Sequence, residues 1–199
     1  MRILVVGANG TVGQAAVKEL SRRHDIVKAG RASGDVTVDL MNEDSVRAMF
    51  AKMGKLDAVV SCAGHVHFGP VASMTPEQFR KGLDDKLMGQ VNLVLLGQAH
   101  VNDGGSFTLT SGVLDRDPVR QGANAAAVNG AIGAFVKGAA IEMPRGIRIN
   151  AVSPGLLEES AQNYDGFFPG HEPVSSARVG LAYAKSVDGA LTGQVIAVG

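Results

Sequence analysis

Three evenly spaced glycines near the start of the chain are the residues whose type and spacing point most directly to chemistry. Gly7, Gly10 and Gly13 follow an apolar run at residues 3–6, and an amphipathic stretch at residues 11–22 begins within this glycine turn. This order of strand, glycine turn and helix is typical of the opening of a dinucleotide-binding βαβ unit. In such a unit Gly7 permits the tight turn, Gly10 lets the backbone approach a pyrophosphate, and Gly13 lets the helix lie close to the strand.

The amides that open the predicted first helix are the expected phosphate-binding groups. The N–H groups of Thr11 and Val12 lie at the helix N-terminus, which favours bound phosphate, and Asn9 belongs to the same turn. The spacing is Gly-x-x-Gly-x-x-Gly rather than the commoner Gly-x-Gly-x-x-Gly. An ordinary strand-to-helix turn is therefore the alternative, but the position directly after an apolar run favours dinucleotide binding.

The end of the predicted second strand indicates which dinucleotide binds. Many sites carry a carboxylate there that accepts from the adenosine ribose 2′-hydroxyl, whereas residues 29–33 hold Arg31 and Ser33 but no acid. A guanidinium and a hydroxyl bind a 2′-phosphate, so these residues predict NADP(H) in preference to NAD(H). Arg31 stacked on the adenine or facing solvent is the alternative. Asp39, followed by Leu40, is the expected partner of the adenine amino group.

Apolar runs and amphipathic stretches alternate along the whole chain, which predicts an α/β fold. We expect a three-layer Rossmann fold, a doubly wound parallel sheet of about seven strands with helices on both faces. The predicted strands are residues 3–6, 25–30, 36–40, 56–61, 106–110, 147–152 and 194–198, and the predicted helices are 11–22, 43–53, 76–101, 123–143 and 174–186.

Length and composition narrow the class of protein. The 199 residues suit a single domain, 1–199, and the even alternation contains no internal linker. Nineteen basic residues balance nineteen acidic ones without a basic run, which argues against nucleic acid or an anionic membrane surface as a partner. The apolar start is too short for a signal peptide or a membrane span. We expect a cytoplasmic protein without an intrachain disulfide, because Cys62 is the only cysteine.

Small residues follow the predicted fourth strand. Cys62, Ala63 and Gly64 would let a cofactor lie against the backbone. His65 and His67 come next, with the i, i+2 spacing of a metal-binding pair, but no third ligand is in view. We therefore expect no metal, and interpret this segment as a loop that flanks the active site.

Several short segments, spread from the first strand to the last, form a recognisable set. They are residues 7–13, 39–40, 63–64, 110–111, 145–150, 151–155 and 191–194. On these segments the chain resembles the short-chain dehydrogenase/reductase family over nearly its whole length. The resemblance implies nicotinamide coenzyme binding, with Pro154, Gly155 and Leu156 among the coenzyme contacts.

The resemblance also implies a catalytic set, from which this chain departs. Such enzymes carry a Tyr-x-x-x-Lys pair on the helix after strand five, a Ser at the end of that strand and an Asn on the preceding helix. Aligned on residues 145–150, Ser111 keeps the Ser, but the Tyr position falls on Ala125 and the Lys position on Asn129. The Asn position falls on Lys86, so lysine and asparagine are exchanged. The chain is most similar to a small subgroup of undetermined function that lacks these residues.

The exchange suggests that Lys86 reaches across from its helix and restores a cation beside Asn129. A lysine that faces solvent is the alternative. Ser111 would be the remaining hydroxyl donor, so the catalytic candidates are Ser111, Lys86 and Asn129. A positioned general acid contributes about 10²–10⁴-fold to the rate. Loss of the Tyr therefore predicts a slowed or rerouted reductase, not necessarily an inactive one.

Two functions remain open. The first is an NADP(H)-dependent oxidoreductase that transfers a hydride between the coenzyme and a small carbonyl or alcohol, with a non-standard proton relay. The alternative is a catalytically inactive NADP(H)-binding sensor or partner protein. The substrate is not evident from the sequence, although Phe167 and Phe168 indicate an apolar wall and Tyr164 could enter from the same loop.

The predicted helix 123–143 is rich in small residues, among them Gly130, Gly133, Ala134 and Gly138. Such a surface allows close approach by another helix. The resemblance implies dimers or tetramers formed through this helix and the one before it, so we expect a homodimer or homotetramer. Packing within the chain is the alternative role of these small residues.

Overall fold

Seven parallel strands form a single sheet in the order β3-β2-β1-β4-β5-β6-β7. The computed structural model describes residues 1–164 and 166–199. The strands are β1 Arg2–Val6, β2 Asp25–Gly30, β3 Val36–Thr37, β4 Leu56–Ser61, β5 Val101–Thr110, β6 Arg148–Pro154 and β7 Val195–Val198. The predicted doubly wound parallel sheet is confirmed.

Helices cover both faces of this sheet. They are α1 Thr11–Leu20, α2 Glu43–Met53, α3 Pro76–Gly82, a π-helical segment Leu83–Met88, α4 Gly89–Gly97, α5 Ala123–Ala140 and α6 Ser176–Asp188. Short 3₁₀ turns lie at Val71–Ser73, Gln98–His100, Val113–Asp115, Pro144–Gly146 and Glu158–Tyr164. None of the described helices combines the length and apolar character that crossing a membrane requires.

Successive side chains of β1 point to opposite faces of the sheet, and both faces are covered by helices, which gives the fold three layers. Ile3 and Val5 pack with α1 and α6 on one face, whereas Leu4 and Val6 pack with α2, α4 and α5 on the other. All four side chains are buried. A strand buried on both faces reads as a continuous apolar run, which is the pattern from which β1 was predicted.

The crevice of the sheet opens beside β1, where the strand order reverses. Strands β2 and β3 lie on one side of β1, and β4 begins the other half of the sheet. The glycine turn after β1 is anchored to both sides, since Gly7 N–H donates to Ala29 O at 2.8 Å and Cys62 N–H donates to Val6 O at 2.8 Å. Ligands of open α/β sheets bind at this kind of switch point, outside the carboxyl ends of the strands.

The third strand is shorter than predicted. It contains Val36–Thr37 rather than residues 36–40. Asp39 N–H donates to Ser45 Oγ at 3.0 Å, and Met41 N–H donates to Asp39 Oδ1 at 3.1 Å. These side-chain bonds replace the strand ladder, so the backbone leaves the sheet and turns into α2.

The predicted helix 76–101 begins as expected but is not continuous. The predicted capping box is present, because Gln78 N–H donates to Thr75 Oγ1 and Thr75 N–H donates to Gln78 Oε1. The π-helical segment then separates α3 from α4. Val101 is not the helix end but the first residue of β5, because it is fully buried and pairs with Leu56 of β4.

Two further element boundaries in the structure differ from the predicted ones. Residues 101–105 extend β5 beyond the predicted 106–110, although the register with β4 shifts within this extension. Val174 does not start the last helix but bridges Leu157, and Ser175 caps α6. The other predicted boundaries agree within about three residues.

Candidate functional site

Two cavities adjoin at the carboxyl ends of the central strands. The β2-side cavity, about 430 Å³, lies between the glycine turn, the end of β2 and residues 62–64. The β5-side cavity, about 270 Å³, lies between residues 62–64 and the ends of β5 and β6. Because Cys62, Ala63 and Gly64 line both cavities, the two form one groove across the edge of the sheet. Its shape suits an extended ligand with two ends, such as a dinucleotide.

The glycine turn has the close approaches that the motif requires. Gly7 has a φ of +77°, and a Cβ there would lie 2.8 Å from Ala63 N. A Cβ on Gly13 would lie 2.0 Å from Gly7 O, so Gly13 packs against the turn itself as α1 begins. Gly10 is different, because its nearest neighbour would be Gly7 O at 3.5 Å, which leaves its outer side open. Open backbone at the N-terminus of α1, without a side-chain cap, fits a phosphate group.

Most of the predicted coenzyme residues line this groove. Those in its walls are Gly7, Gly10, Val12, Arg31, Leu40, Cys62, Ala63, Gly64, Pro154, Gly155 and Leu156. Asn9, Thr11, Gly13, Ser33 and Asp39 lie outside these walls. Asn9 Nδ2 donates to Ser33 Oγ at 2.7 Å, which ties the glycine turn to the segment after β2.

Lys86 lies beside Asn129 in the β5-side cavity. Its ammonium donates to Asn129 Oδ1 at 2.7 Å and to the carbonyl oxygen of Ser111 at 2.8 Å. The side chain is half-buried rather than directed into bulk solvent. The contact that the lysine–asparagine exchange suggested is therefore present, whereas the catalytic roles of Ser111, Lys86 and Asn129 stay predictions.

The loop after β4 makes room for the stem of Lys86. Gly64 has a φ of +127°, and a Cβ on it would lie 2.6 Å from Lys86 Cγ and 2.7 Å from Lys86 Cα. The π-helical segment that carries Lys86 is the kind of irregularity that often occurs at functional sites. Gln90, one turn later, is buried and bonds both backbone groups of Thr110, with its Nε2 donating to Thr110 O and its Oε1 accepting from Thr110 N–H.

Burial changes the proton affinity of Lys86. Loss of solvent around the ammonium lowers the pKa of Lys86 from 10.5 to about 8, and the charge of Asp115 opposes part of this change. An amine with this pKa exists in both protonation states near neutral pH. It can therefore give up and regain a proton under physiological conditions.

Ser111 presents the second polar group of this cavity. Its Oγ is buried and has no hydrogen-bond partner within residues 1–164 and 166–199. A buried hydroxyl without a partner is costly, and Ser111 lines the cavity. The hydroxyl is therefore free to bind an oxygen atom of a ligand.

Neither tyrosine supplies a phenol at the position of Ala125. Ala125 is 2% exposed and packs with Val113 and Leu114. Tyr183 lies in the core on the other face of the sheet, where its hydroxyl bonds Thr110 Oγ1 and burial raises its pKa well above the ordinary value. Tyr164 lines the cavity with Phe168, the ring centroids being 5.7 Å apart.

Two ionisable residues of the β2-side cavity were not among the predicted coenzyme residues. Asp85 lines the β2-side cavity, and its carboxylate lies 3.7 Å from Arg31 Nη2. His65 lines the same cavity and contacts Asp85 at 3.1 Å through Nδ1. Asp85 and Lys86 are adjacent in the sequence, but their side chains line different cavities. No group of three metal-ligating side chains occurs in the described part of the chain.

The thiol of Cys62 sits where the two cavities adjoin. Burial raises the pKa of Cys62 to about 12, so the thiol is protonated and unreactive at neutral pH. In the groove, Cys62 therefore acts as a small side chain that lets a ligand lie close to the backbone.

The chain belongs to the short-chain dehydrogenase/reductase family. Residues 1–182 match the family model described as enoyl-(acyl carrier protein) reductase. The parallel sheet, the glycine turn and the position of the groove agree with this class. Its members are oxidoreductases that bind a nicotinamide coenzyme.

Solved structures resemble the whole chain. The protein lin1944 from Listeria innocua is 52% identical, with a TM-score of 0.99 and full coverage of both chains. A small-chain dehydrogenase in complex with NADPH is 29% identical, with a TM-score of 0.87 and coverage of 100% of this chain and 96% of that one.

Curated relatives are more distant. An uncharacterized oxidoreductase from Methylorubrum extorquens is 30% identical over 65% of this chain and 53% of its own length. A trihydroxynaphthalene reductase from Colletotrichum orbiculare is 28% identical over 78% of this chain and 64% of its own length. The chain thus spans about half to two-thirds of the first curated relatives it matches. A tetrahydroxynaphthalene reductase from Pyricularia oryzae, 28% identical, is matched over 87% of its length.

Proposed function

We propose that this protein is an NADP(H)-dependent oxidoreductase that interconverts a small carbonyl compound and its alcohol, with Lys86 as the proton donor. The observation that carries the proposal is the position of the Lys86 ammonium. It lies 2.7 Å from Asn129 and 2.8 Å from the Ser111 carbonyl, at the wall of a cavity that adjoins the coenzyme groove.

The residues of the groove fit a nicotinamide dinucleotide. The open backbone at Gly10 and the first amides of α1 suit the pyrophosphate, and Arg31 with Ser33 would bind a 2′-phosphate. The NADPH bound to a 29% identical neighbour supports this choice of coenzyme. When bound, the nicotinamide supplies the hydride that reduces the carbonyl carbon.

The proton is the part of the reaction that this chain must supply. Two N–H groups of Lys86 donate to Ser111 O and Asn129 Oδ1, which leaves the third for a carbonyl oxygen in the cavity. As negative charge develops on that oxygen, Lys86 transfers its proton and becomes a neutral amine, which water then reprotonates. The unpartnered Ser111 hydroxyl holds the same oxygen by donating to it.

The walls of the β5-side cavity favour a substrate with a flat apolar body. Phe68, Tyr164 and Phe168 line one side, and Lys86 and Ser111 line the polar end. Aromatic rings pack best on other flat apolar surfaces. We therefore propose that a carbonyl group lies at the polar end and the apolar part of the substrate lies between the rings.

Replacing Lys86 with methionine tests the proposal. Met is unbranched like Lys and only one atom shorter, but it cannot donate a proton, so we expect kcat for NADPH-dependent carbonyl reduction to fall about 10²-fold or more. The affinity for NADPH should change much less. The rate of NADPH consumption against a panel of aliphatic and aromatic aldehydes and ketones measures the first effect, and coenzyme fluorescence measures the second.

Lys81→Met is the matched control. Lys81 lies on α3, exposed to solvent and outside the groove walls, so its substitution should leave turnover close to wild type. Equal turnover by Lys86→Met and wild type would exclude Lys86 as the proton donor.

The second candidate function is coenzyme binding without turnover. It is favoured by Ala125, a buried methyl group at the position where the family resemblance expects an acid. A wild-type protein that binds NADPH but reduces no carbonyl in the panel, together with gain of activity in Ala125→Tyr/Asn129→Lys, would establish this function instead. The binding protein would then act as a sensor or partner subunit.

Self-association is a further part of the proposal. Met88, Leu95 and Ile141 are large apolar residues exposed on or next to α4 and α5, the helices through which we expect a homodimer or homotetramer to form. Light scattering of the purified protein measures the mass directly, and a monomer at micromolar concentration would contradict this expectation.

A further inference from the structure

Arg31 is not a free cation at the rim of the β2-side cavity. Its Nη2 lies 3.7 Å from Asp39 Oδ1 and 3.7 Å from Asp85 Oδ2. Arg31 follows β2, whereas Asp85 comes from the π-helical segment beside the loop after β4. Arg31 and Asp85 both line the cavity, so the ion pair joins two of its walls.

Asp85 is held in place more firmly than Asp39. Its Oδ1 accepts from His65 N–H at 3.2 Å, and its Oδ2 lies 3.1 Å from His65 Nδ1. The Asp85 side chain is 19% exposed, against 44% for Asp39. Asp39 also accepts from the backbone of Met41 within its own turn. Asp85 is therefore the fixed carboxylate that faces the cavity.

This arrangement opposes part of the effect of Arg31 on a phosphate. One guanidinium between two carboxylates gives a local net charge of −1, so a 2′-phosphate must compete with both carboxylates for Arg31 and approach their negative charge. A ribose with a free 2′-hydroxyl carries no such charge. The charge of Asp85 should therefore weaken the binding of NADPH more than the binding of NADH.

We propose that Asp85 is a specificity-determining residue of the coenzyme groove. It restrains Arg31 and repels a phosphate on the adenosine ribose, which makes the preference for NADPH over NADH weaker than Arg31 and Ser33 alone would produce. This inference rests on the proposed binding of a nicotinamide coenzyme. It concerns the strength of discrimination, not the catalytic step.

Titration of Asp85→Asn with NADPH and with NADH, followed by coenzyme fluorescence, tests the proposal. Asn keeps the size of the side chain and a hydrogen-bonding oxygen for His65 but removes the charge. We expect NADPH to bind about fivefold or more tightly than to wild type, while the affinity for NADH changes less than about twofold. Because the effect is electrostatic, the gain should shrink as salt is raised from about 0.05 to 0.5 M.

Asp84→Asn is the control, because it removes the same charge from an exposed neighbour outside the β2-side cavity. It should leave both affinities near wild type. Asp85→Ser provides a second uncharged variant if Asp85→Asn does not fold, and it should also favour NADPH.

Three outcomes overturn the proposal while leaving coenzyme binding intact: equal changes for NADPH and NADH, an equal gain in Asp84→Asn, or a gain that does not depend on salt. Failure of wild type to bind either nucleotide would instead remove the proposed function. The two failures are thus distinguished by the wild-type titration alone.

Discussion

At the scale of single residues, the surroundings of the Lys86 amine set its position and its proton affinity. Lys86 is desolvated by the loop after β4 and by α5, yet it keeps two hydrogen-bond acceptors, Ser111 O and Asn129 Oδ1. Burial disfavours the charged form, and the acceptors hold the nitrogen in one position. The result is a lysine whose pKa of about 8 suits proton transfer near neutral pH.

This pKa leads to a prediction about pH. With Lys86 as the proposed proton donor, carbonyl reduction would require its ammonium form, which is lost as the pH rises through about 8. We expect kcat for reduction to be level below that pH and to fall about tenfold per pH unit above it. Alcohol oxidation requires the neutral amine, so it should rise over the same range. Initial rates in both directions, measured from pH 6 to 10, check the two trends.

Lys86→Arg separates proton donation from charge. A guanidinium stays charged throughout this range, so the variant should be slow and should lack the decline above pH 8. A decline that persists in Lys86→Arg would assign the titration to another group.

At the scale of elements, the site depends on the approach of the loop after β4 to the π-helical segment. Gly64 provides the space for Lys86, and buried Gln90 fixes the start of α4 against the end of β5. Neither contact is local in sequence. Together they place Lys86 of the π-helical segment next to the carbonyl oxygen of Ser111, which follows β5.

Gly64→Ala tests this approach. Its Cβ would lie 2.6 Å from Lys86 Cγ at a φ of +127°, so we expect the free energy of unfolding to fall by about 2–4 kcal/mol. Turnover should also decrease because Lys86 is displaced. Urea denaturation and NADPH-dependent reduction rates measure the two effects.

Gly54→Ala isolates the cost of backbone strain alone. Gly54 also has a positive φ, +66°, but no atom of the described residues lies within 4 Å of a Cβ there. We expect a loss of about 1–3 kcal/mol and unchanged turnover. Equal losses of stability in the two variants would mean that the close contact between Gly64 and Lys86 contributes little to the free energy of unfolding.

At the scale of the whole molecule, the groove joins parts of the chain that are far apart in sequence. Its walls come from the glycine turn, the end of β2, residues 62–64, the ends of β5 and β6 and the π-helical segment. A ligand that occupies both cavities therefore contacts both halves of the sheet. A ligand that binds only the folded state stabilises that state by mass action.

Thermal denaturation in the presence of coenzyme measures this stabilisation by the bound ligand. NADPH at about 100 times its Kd should stabilise the protein by about 2.7 kcal/mol, which for a chain of this size raises Tm by about 5–10 °C. 5′-AMP at the same concentration reaches only part of the groove and should give a smaller shift. No shift with NADPH at millimolar concentration would contradict coenzyme binding.

Much of the site could be predicted from the sequence because its signals are local. The glycine turn after β1 and the small residues 62–64 follow buried strands directly, so their place at the edge of the sheet follows from the order of elements. The third strand ends earlier than predicted because Asp39 and Ser45 bond the backbone and draw it out of the sheet. The continuous helix 76–101 failed because a π-helical segment has no clear pattern in side-chain polarity.

The sequence by itself determined the parallel α/β sheet, the glycine turn that follows its first strand and the exchange of lysine and asparagine, since each depends on residue order and periodicity. Only the tertiary structure decided where the charges lie. The distances from Lys86 to Asn129 and from Asp85 to Arg31 join segments about 40 and 50 residues apart. Which partner each of these side chains meets depends on how distant segments pack against one another, and local propensity carries no information about that packing.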